Sequence, residues 1–237
     1  MKNPSSLYRF GLALILGLSL GLTGCATGPH QDPRDPLEEY NRAAYSFNEL
    51  LDRALFEPLA GGYNYITPAP VNKAVTNFFN NLSDVRSALN NLLQLKIGRA
   101  FSDVSRVAVN STIGILGLMD VASNMNLPRY DEDFGQTLGV WGMGSGPFIV
   151  FPIFGPSTGR DGVGILVDWF ADPVNYISDD GWRYGLKGLD LVDTRADLLN
   201  ASRVLEQAAL DPYAFVRDAY LQRRESLVYD GNPPETE

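Results

Sequence analysis

Cysteine and histidine, on which much nucleophilic and metal chemistry rests, occur once each in these 237 residues, as Cys25 and His30. One cysteine allows no internal disulfide and no cysteine metal cluster. One histidine leaves little scope for Ser–His or Cys–His dyads or zinc sites. The cluster Gly142-Met143-Gly144-Ser145-Gly146-Pro147 starts like the phosphate-cradling G-x-G-x-x-G, but its sixth position is Pro147. A nucleophile elbow centred in that cluster needs a serine at 144, where Gly144 stands. Asp131-Glu132-Asp133 is the densest acidic run and offers weak calcium ligation at most. It lacks EF-hand spacing and reads as a solvated turn beside Pro128.

Cys25 is the residue whose setting points to definite chemistry. Lys2 and Arg9 precede an uncharged apolar run from Phe10 to Leu22, 13 residues long (22 − 10 + 1). A bilayer-spanning helix needs roughly 20, so the run reads as a secretory signal. It ends in Leu22-Thr23-Gly24-Cys25, a lipobox pattern. Small residues there admit a signal peptidase, and the Cys25 sulfur then takes a diacylglycerol. Residues 1–24 are therefore expected to be a lipoprotein signal, and 25–34 a lipidated tether that includes a solvated His30. The alternative is a buried free thiol after an ordinary signal. Ala26 rather than aspartate after the cysteine favours the outer membrane of a Gram-negative bacterium. Two or more acyl chains suffice for stable attachment.

The remaining elements must carry any further function. The chain has 19 Lys+Arg against 28 Asp+Glu, a net charge of -9. Such a balance argues against a broad nucleic-acid surface. Asp35-Pro36-Leu37-Glu38 reads as a helix start, with Asp35 as N-cap and Glu38 completing a capping box. Tyr40, Ala44, Phe47 and Leu51 then follow at helical spacing. Val71, Val75, Phe78, Phe79 and Leu82 form a second stripe. Ser83-Asp84 can cap a third helix, carrying Val85, Leu89, Leu92 and Leu93. Ile97, Phe101, Val104 and Val107 continue the pattern. Later come 161–170, 181–199 and an Asp211-Pro212 start, with Phe215, Ala219 and Tyr220 expected to face inward. No run shows sustained period-two alternation, so the fold is read as all-α, one domain over 35–229. Residues 230–237 are expected to be a frayed acidic tail.

Two stretches do not read as soluble helices. Val107 to Met119 carries no charge. Phe134 to Gly159 is 26 residues (159 − 134 + 1), also uncharged, with Gly at 135, 139, 142, 144, 146, 155 and 159 and Pro at 147, 152 and 156. So much Gly and Pro excludes a regular spanning helix. Leu138, Val140, Trp141 and the run Phe148 to Phe154 exclude an ordinary hydrated loop. The segment reads either as a glycine-rich core loop or hairpin, or as a surface in contact with lipid.

Taken in order, several motifs resemble the VacJ-type (MlaA) family of outer-membrane lipoproteins. They are the lipobox, Asp35-Pro36-Leu37-Glu38-Glu39-Tyr40-Asn41-Arg42, Asn110-Ser111-Thr112-Ile113-Gly114, and Phe134-Gly135-Gln136-Thr137-Leu138-Gly139. Gly144-Ser145-Gly146-Pro147-Phe148, Gly155-Pro156-Ser157-Thr158-Gly159-Arg160-Asp161 and Asp211-Pro212-Tyr213 complete the pattern. The resemblance implies a ring-like helical bundle embedded in the periplasmic leaflet, enclosing an amphipathic channel beside trimeric porins. It implies that misplaced phospholipids leave the outer leaflet and pass to a soluble periplasmic carrier, which preserves lipid asymmetry. It also implies a gating hairpin within Phe134 to Phe154. Gly135, Gly139, Gly142, Gly144, Gly146 and Pro147 would shape that hairpin, with Trp141, Phe148 and Phe151 at the acyl–headgroup boundary. No catalytic residue, metal or cofactor is expected. The rival readings are a structural lipoprotein scaffolding an envelope complex and a phospholipid-modifying enzyme using carboxylates, Ser145, Ser157 or Thr158.

Overall fold

Helix α1, Glu38–Leu51, runs through a π-helical stretch, Asp52–Phe56, straight into α2, Glu57–Ile66. The structure, a computed structural model, describes residues 32–234. Cys25, the signal, most of the tether and the last three tail residues lie outside the described residues. Pro68 ends α2, because the residue before a proline is pushed out of the helical region, and Thr67 is extended. Then come α3 (Ala69–Leu93), α4 (Ile97–Thr112), the short α5 (Val121–Asn124) and α6 (Phe134–Val140). Strands β1 (Phe148–Phe151) and β2 (Gly155–Thr158) form an antiparallel hairpin with Phe148 opposite Thr158. Helix α7 (Gly159–Ala171), a 3-10 turn (Pro173–Tyr176), α8 (Asp180–Ala208) and α9 (Pro212–Val228) complete the chain.

The all-α reading stands, with the hairpin as the one sheet among the described residues. Several local expectations need correction. Asp35 is no N-cap: Leu37 occupies that position without a side-chain bond. Asp35 is instead fully buried, receiving hydrogen bonds from Asn41 (2.7 Å) and Tyr213 and the charge of Arg217. Ser83-Asp84 does not start a helix, because α3 runs through it unbroken. The 134–159 stretch is not one irregular segment but a helix, an open loop and a hairpin. Phe215 and Ala219 point outward, and Asp230, expected in a frayed tail, is held by Lys96 (2.6 Å) and Arg99.

The hairpin is anchored by side chains that stand in for a third strand. Asn41 donates to the Phe148 carbonyl (3.0 Å) and accepts from the Val150 amide (2.8 Å). One heptad later Asn48 donates to the Phe151 carbonyl (3.0 Å) and accepts from Ile153 (2.7 Å). An edge strand otherwise presents unpaired amides and carbonyls, and α1 satisfies them. The small apolar core sits here, where Phe148 and Val150 pack on Ala44 and Tyr213.

Contacts between elements close a circuit. Helix α1 meets β1, β2 meets α7, α7 meets α3, α3 meets α8, and α8 meets α2, which returns to α1 through the π segment. The polarity of this ring is inverted relative to a water-soluble bundle. Asn81, Asp84, Ser87 and Asn91 of α3 are buried, as are Asp103, Arg106 and Asn110 of α4. The apolar stripe of the same helices faces out: Leu92 is 52% exposed and Phe101 72%. Leu116, Leu166 and Phe170 extend that outward apolar surface. Large contiguous apolar surface on a protein marks contact with lipid or another protein.

Candidate functional site

Charged side chains sit in pairs or small groups between the packed elements. Asp84 takes Arg106 (3.0 Å) and Arg129 (2.9 Å). Tyr63 from α2 and Thr76 from α3 both donate to Asp193 on α8, each at 2.8 Å. Arg224 on α9 reaches Asp133 (2.8 Å) and Asp161 (2.9 Å). Asp52 in the π segment holds Arg195 of α8 through two bonds of 2.7 Å. The Asp193 and Asp52 bonds tie elements of the circuit to one another, while those of Asp84 and Arg224 fasten α4 and α9 onto it. Groups this buried are stable only when paired and hydrogen-bonded.

Two cavities lie against this inner face. One, of about 380 Å³, is walled by Phe79, Ile165 and Trp169 and also by Arg86, Asp168 and Asp190. The other, of about 480 Å³, lies between the π segment, the hairpin tip and α8, with Phe56, Phe154 and Leu198 beside Asp52 and Arg195. Both walls mix apolar and charged groups, so each offers an acyl chain and a polar headgroup something to touch. A third cavity, about 340 Å³, lies under the loop Gly142 to Ser145 and is bounded by Arg160, Gln222 and Tyr229.

The glycines expected to gate a channel divide into two groups. Gly135 and Gly139 lie in α6, where an added Cβ would strike Asp161 (2.6 Å) or Val228 (2.7 Å). They permit close packing. Gly142 and Gly144 stand in open space, and Gly142 has a φ of +94° that side chains resist. Gly146, also left-handed, and Pro147 lead into β1, where Pro147 meets Gly159. Trp141 is half exposed, donates to the Leu93 carbonyl (3.2 Å) and packs edge-on against Phe134. Phe148 is 1% exposed and belongs to the core, not to a headgroup boundary. Phe151 is partly buried over Gly162. The hairpin itself is therefore clamped, and the open part is 142–146, ahead of the strands.

The acidic run 131–133 is structural. Glu132 is buried against Gln94 (2.9 Å), and Asp133 caps α6 through the Gln136 amide (2.8 Å). No cluster of metal-ligating side chains occurs among the described residues. One motif escaped the sequence reading, which tested the elbow pattern only at 142–146. Gly155-Pro156-Ser157-Thr158-Gly159 has G-x-S-x-G spacing and bridges a strand and a helix. Its serine is buried, and its hydroxyl lies near the Thr158 carbonyl (3.4 Å) and Tyr220.

Two carboxylates packed between the helices respond to pH in opposite senses. Burial would raise Asp133, but the bonds and charge of Arg224 outweigh it and hold the carboxyl at about 2. That pair stabilises the fold above the unfolded carboxylate range near 4 and is lost as pH falls towards 2. Burial pushes Asp103 up to about 6, a hydrogen bond from Asn91 partly offsets the rise, and nearby Asp84 adds to it. Its contribution is present in full below about 4 and is lost as pH rises through 6. Asp103→Asn should therefore be more stable than the parent at pH 7.5, by about 1–2 kcal/mol, and the advantage should vanish below about pH 4. Thermal unfolding in detergent at both pH values checks this.

Together these features define a closed circuit of helices with apolar side chains exposed, charged side chains buried between the elements, two cavities walled by both kinds of group, and a third cavity under a glycine loop. The profile of the MlaA lipoprotein family matches residues 33–227. The chain belongs to that family, which makes it a lipoprotein of the cell envelope. The Escherichia coli protein named intermembrane phospholipid transport system lipoprotein MlaA is 36% identical over 227 residues, 92% of this chain and 88% of that one. The Haemophilus influenzae protein of the same name is 34% identical over 229 residues, 90% and 88%. A solved chain from work on the structural basis for maintenance of bacterial outer membrane lipid asymmetry superposes with a TM-score of 0.72. It is 33% identical and covers 82% of this chain and 98% of that one.

Proposed function

We propose that this protein is an outer-membrane lipoprotein that maintains lipid asymmetry by moving misplaced phospholipids out of the outer leaflet. The observation that carries the reading is the inverted ring, with an apolar exterior around charged, cavity-bearing walls. A charged headgroup crossing hydrocarbon of about 30 Å faces a cost of several kcal/mol. A passage with polar groups inside and apolar groups outside removes that cost without breaking a bond. Transport therefore needs no nucleophile, and the protein is read as non-enzymatic.

Cys25 carries the acyl anchor in this reading, residues 25–34 are the tether, and 35–229 form the leaflet-embedded domain. No described helix is long and apolar enough to cross a membrane, which agrees with embedding in one leaflet. The released phospholipid passes to a soluble periplasmic carrier, and a trimeric porin braces the outer wall of the ring. Both partners come with the family resemblance and suit a ring whose outer surface is apolar.

The loop 142–146 is the gate. Gly144→Val tests it, because Gly144 has open space around it and no left-handed strain. Gly142→Pro mixes in another effect, since it removes the amide bond to the Gly139 carbonyl and opposes a positive φ. Gly144→Val should keep folded abundance near that of the parent while outer-leaflet phospholipid changes severalfold, as expected for gating loops that control flux. Lipid asymmetry that fell only in step with protein level would make 142–146 an ordinary core loop.

A further inference from the structure

The 380 Å³ cavity holds two charged groups whose bonding capacity the fold leaves open. Arg86 reaches Asp131 at 3.5 Å through one terminal nitrogen, yet its Nε is buried without a hydrogen-bond partner. Asp190, which also lines the cavity, receives no hydrogen bond among the described residues. The other charges of this cavity are engaged. Arg224 is held by Asp133 and Asp161, Lys187 by Asp172 and Asn175, and Asp168 accepts from Asn90 (3.1 Å) and the Phe134 amide (2.9 Å). Five aspartates against two arginines and one lysine line the cavity, so its walls are net acidic.

Burial raises Asp190, repulsion from Asp193 and Asp172 adds to the rise, and the charge of Arg86 opposes it. Arg86 and Asp190 both line this one cavity. A half-buried guanidinium whose terminal nitrogen meets Asp131 only at 3.5 Å, and an exposed carboxylate without a hydrogen bond, line one cavity and match a ligand with an anionic and a cationic end. Phe79, Leu82, Ile165 and Trp169 supply the apolar wall beside them.

We infer that this cavity is a headgroup site selective for zwitterionic phospholipids, with the phosphate at Arg86 and the ammonium at Asp190. The inference rests on the transport reading above and names its substrate class. An anionic glycerol headgroup offers Asp190 no cation and meets a net-negative wall, so it is disfavoured. The discrimination should be modest because Asp190 is partly solvated.

The test uses the full-length lipidated protein, equilibrated in detergent with an equimolar mixture of phosphatidylethanolamine and phosphatidylglycerol. Native mass spectrometry then reads the bound lipids. Phosphatidylethanolamine should be enriched about threefold to fivefold in the parent, the range of one partly exposed ion pair. Asp190→Asn should bring the ratio close to one while total occupancy stays similar. Arg86→Gln should lower occupancy by both lipids, with its melting temperature measured alongside to exclude misfolding. Replacing phosphatidylethanolamine by phosphatidylcholine should preserve the enrichment if charge alone is read. Equal binding of both lipids by the parent, or an Asp190→Asn ratio equal to that of the parent, would overturn the selectivity and leave transport standing. A parent that retains no phospholipid at all would overturn the transport reading with it.

Discussion

Replacing Gly164 with alanine is expected to abolish most of the folded protein. An added Cβ at Gly164 on α7 would lie 2.5 Å from the Gly135 nitrogen and 2.8 Å from its Cα on α6. Both neighbours are backbone, so no side chain can swing away. Helix α6 cannot retreat either. Its first turn is fixed by Asp133, which Arg224 clamps, and by the Phe134 amide bonded to Asp168 of α7 itself. Overpacking a rigid crossing costs more than about 3 kcal/mol, enough to empty the native state of a marginally stable domain. Gly61→Ala is the control, since nothing lies within 4 Å of that position. In a helix that change should be neutral or stabilising by up to about 1 kcal/mol. Thermal unfolding in detergent and abundance in cell membranes read both variants. A Gly164→Ala protein with parental stability would mean that α6 and α7 do not cross as described.

The paired change Leu92→Asp, Phe101→Asp should release the domain from membranes without unfolding it. Both side chains are exposed on the outer face of α3 and α4. If that face met water, the aspartates would change stability by no more than about 0.5 kcal/mol each. If it meets hydrocarbon, each costs about 2–3 kcal/mol of insertion. The measurement is flotation with liposomes of a form lacking the acyl anchor, together with circular dichroism in detergent. Loss of flotation with an unchanged helical spectrum is expected. Undiminished flotation would place the membrane contact elsewhere on the protein.

Much of the helical layout was legible because turn chemistry and periodicity survive in any solvent. Asp211-Pro212 starts α9, with its cap bond to Ala214, as its pattern indicated. What misled was the sense of the periodicity. The apolar stripe Leu89, Leu92, Ile97 and Phe101 was easy to see, but the polar stripe Asn81, Asp84, Ser87 and Asn91 on α3 marks the inside. Asp103, Arg106 and Asn110 on α4 carry the same signal. Asp35, Asp84 and Asp133 were read as caps or solvated groups because an isolated carboxylate near Pro or Ser suggests one. Their buried arginine and tyrosine partners lie 22 to 182 residues away in the chain, which no local pattern reveals. The gate residues divided for a similar reason. Gly135 and Gly139 look like Gly144 in sequence, and only the neighbouring backbone and side chains distinguish a close crossing from an open loop.

Passage of phospholipid through the ring can be measured directly. The full-length lipidated protein is reconstituted into one leaflet of asymmetric vesicles, with a fluorescent phosphatidylethanolamine confined to the opposite leaflet. A soluble lipid-binding acceptor is then added on the protein side, and transfer of fluorescence to it is followed over time. The ring described here predicts that labelled lipid reaches the acceptor only when the protein is present, and that Gly144→Val changes the rate at equal protein loading. Transfer no faster with the protein than in protein-free vesicles would contradict a passage through this protein.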